Sequence, residues 1–298
     1  MTDRVKAASG RVQIVLVAAC LAAGATAPAQ AQSASHPERA PEGMKLVWSD
    51  EFDGSGRLDP SKWSYETGFV RNREAQWYQS DNAFRENGVL VIEARRERKS
   101  VARRAMAAAP EWARWRREAQ FTSASVTTRE KAAWLYGRFE IRARLKAQEG
   151  LWPALWFVGT QGTWPAKGEI DLMEYYDGSI LANFAWAAKN GKASWKARKT
   201  PLDAISDDPD WDKHFHTWVM DWTEDYIALS LDDRELNRVN IANVRNGGGD
   251  LPNPFKQPQY LIMNLALGGM HGGSLDNTDF PSRFEIDYVR VYQREEAE

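Results

Sequence analysis

The stretch Arg138-Phe139-Glu140-Ile141-Arg142-Ala143-Arg144-Leu145 alternates between charged and apolar residues. Successive side chains of a β-strand point to opposite faces, so this stretch predicts a strand with one buried face. Similar short runs, separated by clusters of Gly, Asn, Asp and Pro, lie at 45–48, 89–94, 121–128, 215–222, 226–231, 260–267 and 284–292. Many short strands joined by turns predict an all-β sandwich or jelly roll. A length of 298 residues fits one such domain.

Residues 95–120 break this alternation, because they are rich in Arg and Ala and include Trp112 and Trp115. They could form a helix or a long excursion between strands. We interpret them as a solvated surface insertion within a domain that spans residues 44–294, in preference to a lid over a substrate site.

The N-terminus has the layout of a secretory signal peptide over residues 1–31, with three early cations, an apolar run from Val12 to Ala25 and a small-residue cleavage site at 29–31. Export to the periplasm or the medium is therefore predicted. The alternative is a lipoprotein anchored through Cys20, because Val17 to Cys20 resembles a lipobox. Residues 32–43 are small, polar and proline-containing, which is typical of a flexible lead-in.

Composition excludes several function classes. Cys20 is the only cysteine, so the mature chain has no disulfide, no cysteine nucleophile and no thiolate metal site. Removal of residues 1–31 leaves a net charge of −4, which favours neither nucleic acid nor an anionic membrane. The apolar N-terminal run is too short for a membrane span. The 14 Trp residues fit either a large aromatic core or stacking platforms for sugar rings.

Three acids stand close together in the stretch Gly168-Glu169-Ile170-Asp171-Leu172-Met173-Glu174-Tyr175-Tyr176. On a regular strand Glu169 and Asp171 share a face, whereas Glu174 points to the other side. One extra residue, a β-bulge around Leu172 and Met173, would return Glu174 to the same face. We therefore predict a bulged strand that presents three carboxyl groups together.

A pair of carboxyl groups on one face is what glycoside hydrolysis requires, since one attacks the sugar or activates water and the other gives a proton to the leaving oxygen. A solvated acidic strand is the alternative. The flanking aromatic residues favour the hydrolase, because two Trp in Gly150-Leu151-Trp152-Pro153-Ala154-Leu155-Trp156 and two Tyr at 175–176 would form the walls of a sugar cleft.

These segments resemble glycoside hydrolase family 16, in its bulged branch of laminarinase-type endo-β-1,3-glucanases. The resemblance spans residues 45–293 and includes Val47–Phe52, Leu58–Trp63, Tyr136–Glu140 and Asp287–Gln293. It implies a concanavalin A-like jelly roll with a concave cleft and hydrolysis with retention. It further implies that Glu169 is the nucleophile, Asp171 its helper and Glu174 the acid/base, an order that spacing alone does not give.

The resemblance also implies binding residues. Asn72 and Gln76 match a loop beside the cleft, although both also suit a turn. Trp152 and Trp156 match positions near the cleavage point, and Tyr175 is expected to contact the sugar. Many relatives hold a structural calcium, for which Glu51 and Asp287 would supply oxygen ligands here. No cofactor is expected for the chemistry itself.

Two departures from the family pattern concern substrate choice. Relatives commonly have a histidine on the strand after the catalytic one, where this sequence has Asn183-Phe184-Ala185-Trp186-Ala187. Glucan-specific enzymes often have a tryptophan where Met270-His271-Gly272-Gly273 stands. We predict a monomeric endo-hydrolase of a β-1,3- or mixed β-1,3/1,4-glucan. A β-linked galactan or related glycan is the alternative substrate, and an inactive lectin-like module is the alternative class.

Overall fold

The computed structural model describes residues 1–2, 40–107, 109–247 and 251–295. Residues 3–31 of the predicted signal peptide, including Cys20, and residues 32–39 of the lead-in lie outside the described residues. Within those described, no helix has the length and apolar character needed to cross a bilayer.

Two antiparallel sheets make up the fold. The first sheet has the strand order β17 (Arg234–Asn240), β16 (Tyr226–Leu231), β15 (His216–Trp222), β10 (Gly137–Leu145), β19 (Ser282–Arg294), β5 (Val89–Ala94) and β4 (Ala83–Glu86), with β1 (Met44–Asp50) also paired to β19. The second sheet has the order β14 (Ala193–Pro201), β13 (Ser179–Ala187), β12 (Glu169–Tyr176), β11 (Leu151–Gly159), β18 (Gln259–Leu267), β9 (Ser125–Thr127) and β2 (Ser64–Tyr65).

Shorter elements connect these strands. Strand β3 (Gln76–Tyr78) pairs in parallel with β8 (Phe121–Ser123), and β6 (Lys99–Ser100) pairs with β7 (Glu118–Ala119). Short 3-10 helices occupy Ser80–Asn82, Arg103–Met106, Glu111–Ala113, Leu202–Ala204, Trp211–Lys213, Ile241–Asn243 and Pro254–Lys256.

The core lies between the two large sheets. Phe139 on β10 of the first sheet packs edge to face against Phe157 on β11 of the second, with ring centroids 5.1 Å apart. The apolar residues of the alternating stretch at 138–145 are buried in this core, while its arginines form ion pairs on the other face. The predicted sandwich is therefore confirmed, and burial of one face per strand explains the alternation.

The single strand predicted at 121–128 is wrong. The chain changes partners at the buried residue Ala124, so that β8 pairs with β3 whereas β9 joins the second sheet. A continuous run of strand-forming residues does not reveal that its two halves pair with different neighbours.

The insertion at 95–120 is an excursion, and it is only partly the solvated segment that we predicted. Its two ends pair as β6 and β7, and the segment between them forms two 3-10 helices. Val101, Met106, Ala113 and other small apolar side chains are buried in a separate cluster with Phe69 and Trp77. The insertion therefore has its own small core.

Candidate active site

The predicted β-bulge lies in β12. On the neighbouring strand β13, Asp171 pairs with Asn183 and Glu174 pairs with Leu181. Three steps along β12 thus match two steps along β13, and the same irregularity appears against β11. An extra residue in one strand changes which face the following side chains occupy. The bulge prediction is confirmed.

The bulge separates the side chains of β12 into two groups. Glu169, Asp171, Glu174 and Tyr176 line an open cleft, while the core receives Ile170, Leu172, Met173 and Tyr175. Tyr175 is 4% exposed. Its predicted sugar contact is therefore wrong, because the residue after Glu174 must face the core, and Tyr176 takes the position in the cleft.

The cleft crosses the concave face of the second sheet and has a volume of about 710 Å³. Its lining extends from β14 at one edge of the sheet to the segment that precedes β3 at the other. Aromatic residues are spread along it, and these are Trp152, Trp156, Trp164, Tyr176, Trp195 and Tyr260. Such a groove has the length and the apolar ring faces that a chain of sugars needs.

Glu174 is held by two hydrogen-bond donors. Trp152 Nε1 donates to Oε1 at 2.9 Å, and Asn183 Nδ2 donates to Oε2 at 3.1 Å. Burial raises the pKa of Glu174 to about 7, the Trp152 hydrogen bond opposes this rise, and the negative charge of Glu169 adds to it. Glu174 therefore exchanges a proton near neutral pH, as a general acid must.

Glu169, the other glutamate of the cleft, has different neighbours from Glu174. Trp164 Nε1 donates to its Oε2 at 2.9 Å. Burial raises the pKa of Glu169, but the hydrogen bond from Trp164 and the positive charges of Arg71 and Lys167 counter that rise. These neighbours favour the ionised carboxylate that a nucleophile needs.

Asp171 lies between the two glutamates and is 3% exposed. Burial and the charges of Glu174 and Glu169 hold its pKa well above the ordinary value. The interaction between Asp171 and Glu169 raises the pKa of Asp171 further and lowers that of Glu169. Oδ2 of Asp171 is buried without a hydrogen-bond partner among the described residues, so a protonated Asp171 has a donor to offer the Glu169 carboxylate.

Both predicted tryptophans line the cleft. Trp152 packs edge to face against Tyr176 at 5.4 Å and against His271 at 5.2 Å. Trp156 donates from Nε1 to Asn264 Oδ1 at 2.8 Å, and the guanidinium of Arg71 lies 4.9 Å from its ring centroid. Each ring is thus fixed in place before any ligand binds.

Asn72 and Gln76, which were predicted to contact sugar from the loop beside the cleft, lie in different surroundings. Asn72 lines the cleft and has a left-handed backbone with φ of 52°. Gln76 is 1% exposed, donates to Glu74 Oε2 at 2.7 Å and accepts from the Leu267 backbone N–H at 2.8 Å. The predicted sugar contact of Gln76 is wrong, because its amide is fully used inside the protein to hold Glu74.

The residues proposed for calcium do not fit that ion. Glu51 forms an ion pair with Arg290 at 2.8 Å, and Asp287 forms one with Arg142 at 2.5 Å. A cation would have to displace these arginines and find further oxygen ligands. In the described part of the chain, no group of three His, Cys, Asp or Glu side chains is placed to hold a metal ion.

Sequence reasoning missed several residues of the cleft. Trp164, five positions before Glu169, has no role among the predictions from sequence. Asn183 and His271 belong to the two stretches that depart from the family pattern, and in the structure Asn183 bonds the Glu174 carboxyl while His271 stacks on Tyr176 at 5.1 Å. A polar residue on the strand beside an acid is the signal that could have identified Asn183.

Known proteins share both the sequence and the fold. Residues 71–290 match the sequence profile described as glycosyl hydrolases family 16. The chain is 38% identical over 269 residues to a beta-glucanase of Rhodothermus marinus, covering 86% of this chain and 87% of that protein.

Solved structures agree with the sequence match. The laminarinase catalytic domain of Thermotoga maritima MSB8 superposes with a TM-score of 0.69 at 33% identity, covering 86% of this chain and 100% of that domain. An endo-acting O-glycanase of the human gut microbiota, which initiates mucin breakdown, superposes with a TM-score of 0.76 at 32% identity, covering 87% and 94%. The chain therefore belongs to glycoside hydrolase family 16 and is a glycosidic-bond hydrolase.

Proposed function

We propose that this protein is an endo-hydrolase of a β-1,3- or mixed β-1,3/1,4-glucan that acts with retention. One observation carries the proposal: Glu169 and Glu174 lie on the same face of a bulged strand, where Trp164, Arg71 and Lys167 oppose the effect of burial on Glu169. Burial and the charge of Glu169 raise the pKa of Glu174 to about 7. The similarity to a beta-glucanase and to a laminarinase supports the choice of substrate.

In the first step, the Glu169 carboxylate attacks the anomeric carbon while the bond from that carbon to the leaving oxygen breaks. Glu174 gives its proton to the leaving oxygen, which departs as a free hydroxyl. Asp171 donates a hydrogen bond to Glu169 and so keeps its attacking oxygen oriented. The products of this step are a glycosyl ester on Glu169 and an ionised Glu174.

In the second step, Glu174 takes a proton from water, whose oxygen attacks the anomeric carbon and releases Glu169. Esterification removes the negative charge of Glu169, and that charge is one of the causes that raise the pKa of Glu174. The ester therefore makes Glu174 easier to keep ionised as the base. Two displacements at the same carbon give overall retention.

Internal cleavage follows from the length of the cleft. Trp195 on β14 and Tyr260 on β18 lie on opposite sides of β12, so aromatic rings are available on both sides of the acids. A polymer bound across the sheet would place an internal bond at Glu169 and Glu174. Products several sugars long are therefore expected.

A β-linked galactan or related glycan is the second candidate. His271 lies in the stretch 270–273, where glucan-specific enzymes often have a tryptophan, and its ring packs against Tyr176 and Trp152. This packing puts a polar ring at the leaving-group side, and the similarity to an endo-acting O-glycanase points the same way.

Hydrolysis of a polysaccharide panel tests the proposal. We expect reducing ends from laminarin or lichenan, with oligosaccharide products and with the β-anomer formed first in proton NMR. Release only from agarose, porphyran or mucin glycans would establish the second candidate. Early formation of the α-anomer would contradict retention, and binding without any release would indicate the lectin-like class.

We also propose export through the signal peptide at residues 1–31. Amino-terminal sequencing of the protein from the culture fraction should begin near Gln32. A lipid-modified protein that begins at Cys20 would replace this proposal with the membrane-anchored alternative.

A further inference from the structure

The insertion at residues 95–120 has no part in the chemistry proposed above, yet its composition is unusual. It contains nine arginines and lysines against three glutamates, a net charge of +6, in a chain whose total charge is −2. Like charges so close together repel one another and disfavour the compact fold. A segment that concentrates cations in this way fits an anionic partner.

The exposed arginines of the insertion include Arg103, Arg104, Arg114 and Arg117. Within the described residues, none of these four lies at ion-pair distance from a carboxylate. Arg114 and Arg117 bond only to backbone carbonyl oxygens nearby. Their guanidinium groups therefore keep donors available for a carboxylate or sulfate, which they can bind through paired hydrogen bonds.

Trp115 follows Arg114 in the chain and is 80% exposed. Arg103 and Arg104 belong to the 3-10 helix that ends at Met106, and Met106 is buried in the same cluster as Ala113. Two other large exposed indole rings in the described chain, Trp164 and Trp195, both line the cleft. Trp115 lies outside the cleft and presents a large apolar ring face to solvent. A flat exposed ring is suited to stack on the face of a sugar.

The ring is carried on an ordered frame. Backbone hydrogen bonds from Ala113 to Pro110 and from Arg116 to Ala113 fix the turn that contains Trp115. Below it, the Arg116 guanidinium lies 4.6 Å from the ring centroid of Phe69. A platform that is ordered beforehand loses little entropy when it binds.

The frame adjoins one wall of the cleft. Phe69 belongs to the buried cluster of the insertion, and it lies two residues before Arg71, which lines the cleft. The insertion therefore packs on the same segment that carries the cleft wall. The segment that contains Phe69 and Arg71 would therefore lie between a glycan bound in the cleft and a glycan bound on the insertion.

We propose that Trp115 with Arg103, Arg104, Arg114 and Arg117 forms a second glycan-binding surface, for a polysaccharide that carries sulfate or carboxylate groups. The indole stacks on a sugar ring and the guanidinium groups bind the anionic substituents. The proposal rests on the proposed function only in taking a glycan as the ligand. The surface would hold the enzyme on an anionic polymer while the cleft cuts.

The test compares binding of laminarin with binding of the same laminarin after chemical sulfation, by calorimetry in a Glu169→Gln background that does not consume the polymer. We expect Trp115→Ala, and separately Arg114→Gln with Arg117→Gln, to weaken the binding of sulfated laminarin about tenfold or more. Higher salt should weaken it further. Arg114→Gln with Arg117→Gln should leave the binding of plain laminarin unchanged, because that polymer carries no anionic group for the guanidinium groups. The hydrolysis of short neutral oligosaccharides should be unchanged by either set of substitutions in the wild-type background.

The matched control is Arg234→Gln with Arg238→Gln, which removes the same charge from β17 of the first sheet. It should change binding of sulfated laminarin less than twofold. Equal losses in the control and the insertion variants would overturn the proposal, because they would show attraction by net charge alone. Binding to phosphatidylglycerol vesicles but not to sulfated laminarin would also overturn it, in favour of a membrane partner. Release of reducing ends by the Glu169→Gln protein would instead count against the proposed role of Glu169.

Discussion

The two faces of strand β12 differ in the charge and in the burial of their side chains. The cleft face carries three carboxyl groups and one tyrosine, whereas the core face carries Ile170, Leu172, Met173 and Tyr175, all of them buried. A regular strand of eight residues would place four side chains on each face by strict alternation. In this strand two neighbours, Leu172 and Met173, both enter the core.

The difference shows how one extra residue separates chemistry from stability. Because of the bulge, Glu174 faces the cleft together with Glu169, while its neighbours Met173 and Tyr175 both stay in the core. Substitutions on the cleft face should therefore change activity and leave stability nearly intact. Substitutions on the core face should do the reverse, and the predictions that follow test this separation.

The largest effect is expected for Glu169→Gln. The amide cannot attack the anomeric carbon, so kcat should fall on the order of 10⁴-fold or more. The melting temperature should stay within a few degrees of the wild-type value, because Glu169 lies at the cleft surface and Gln has nearly the same shape. Steady-state kinetics and thermal unfolding on the same preparation measure both quantities. Turnover close to wild type would remove Glu169 from the mechanism.

The opposite result is expected for Leu172→Ala on the core face. Leu172 is 0% exposed within the main core. Loss of a buried leucine side chain leaves a cavity, and the free energy of unfolding should fall by about 2–5 kcal/mol. Denaturant unfolding measures the loss, with Tyr176→Phe as the control on the cleft face. At a temperature where the Leu172→Ala variant and the wild type are both folded, the variant should keep most of the wild-type kcat. Loss of turnover in a fully folded Leu172→Ala protein would show that the two faces are not separable.

The bulge and the strands could be predicted because the number of residues between the acids and the alternation of polar and apolar residues are local properties of the sequence. Residues 138–145 alternate over a full strand, and the spacing of Glu169, Asp171 and Glu174 admits a common face only with one extra residue. Neither inference needs knowledge of the partner strands. The same alternation, counted from Glu174, places Tyr175 in the core and Tyr176 in the cleft, as the structure has them.

The remaining errors concern contacts between distant segments. Gln76 is buried because its amide meets Leu267, which lies 191 residues away. Glu51 and Asp287 each meet an arginine from another strand. The division of residues 121–128 between two sheets also depends on which strands lie beside them. A single sequence holds no record of such pairings, so the resemblance to a family suggests sugar contacts and calcium ligands without showing which partners these side chains meet.

A smaller effect is expected for Asn183→Ala, which acts on the Glu174 end of the cleft face. Asn183 donates a hydrogen bond to the Glu174 carboxyl, and this bond lowers the pKa of Glu174. Without the donor the charged form is less favourable, so the pKa rises and the acid stays protonated to higher pH. The alkaline limb of the kcat/KM profile should move upward by roughly half a unit to one unit. An alkaline limb that moves downward, or does not move, would show that Asn183 does not tune the acid.

The smallest effect is expected for Trp164→Phe, which acts on the Glu169 end. Trp164 Nε1 donates to Glu169 at 2.9 Å, and this bond lowers the pKa of Glu169. Its loss should raise that pKa, so that the acid limb of kcat/KM moves upward while the alkaline limb stays, because a nucleophile must be ionised. Trp195→Phe is the matched control, since Trp195 is also exposed and lines the cleft. Both variants lose ring area and should bind substrate more weakly, but only Trp164→Phe should narrow the profile from its acid side. If both variants left the acid limb in place, Trp164 would serve only to stack on a sugar ring. The hydrogen bond from Trp164 would then have no measurable effect on the pKa of Glu169.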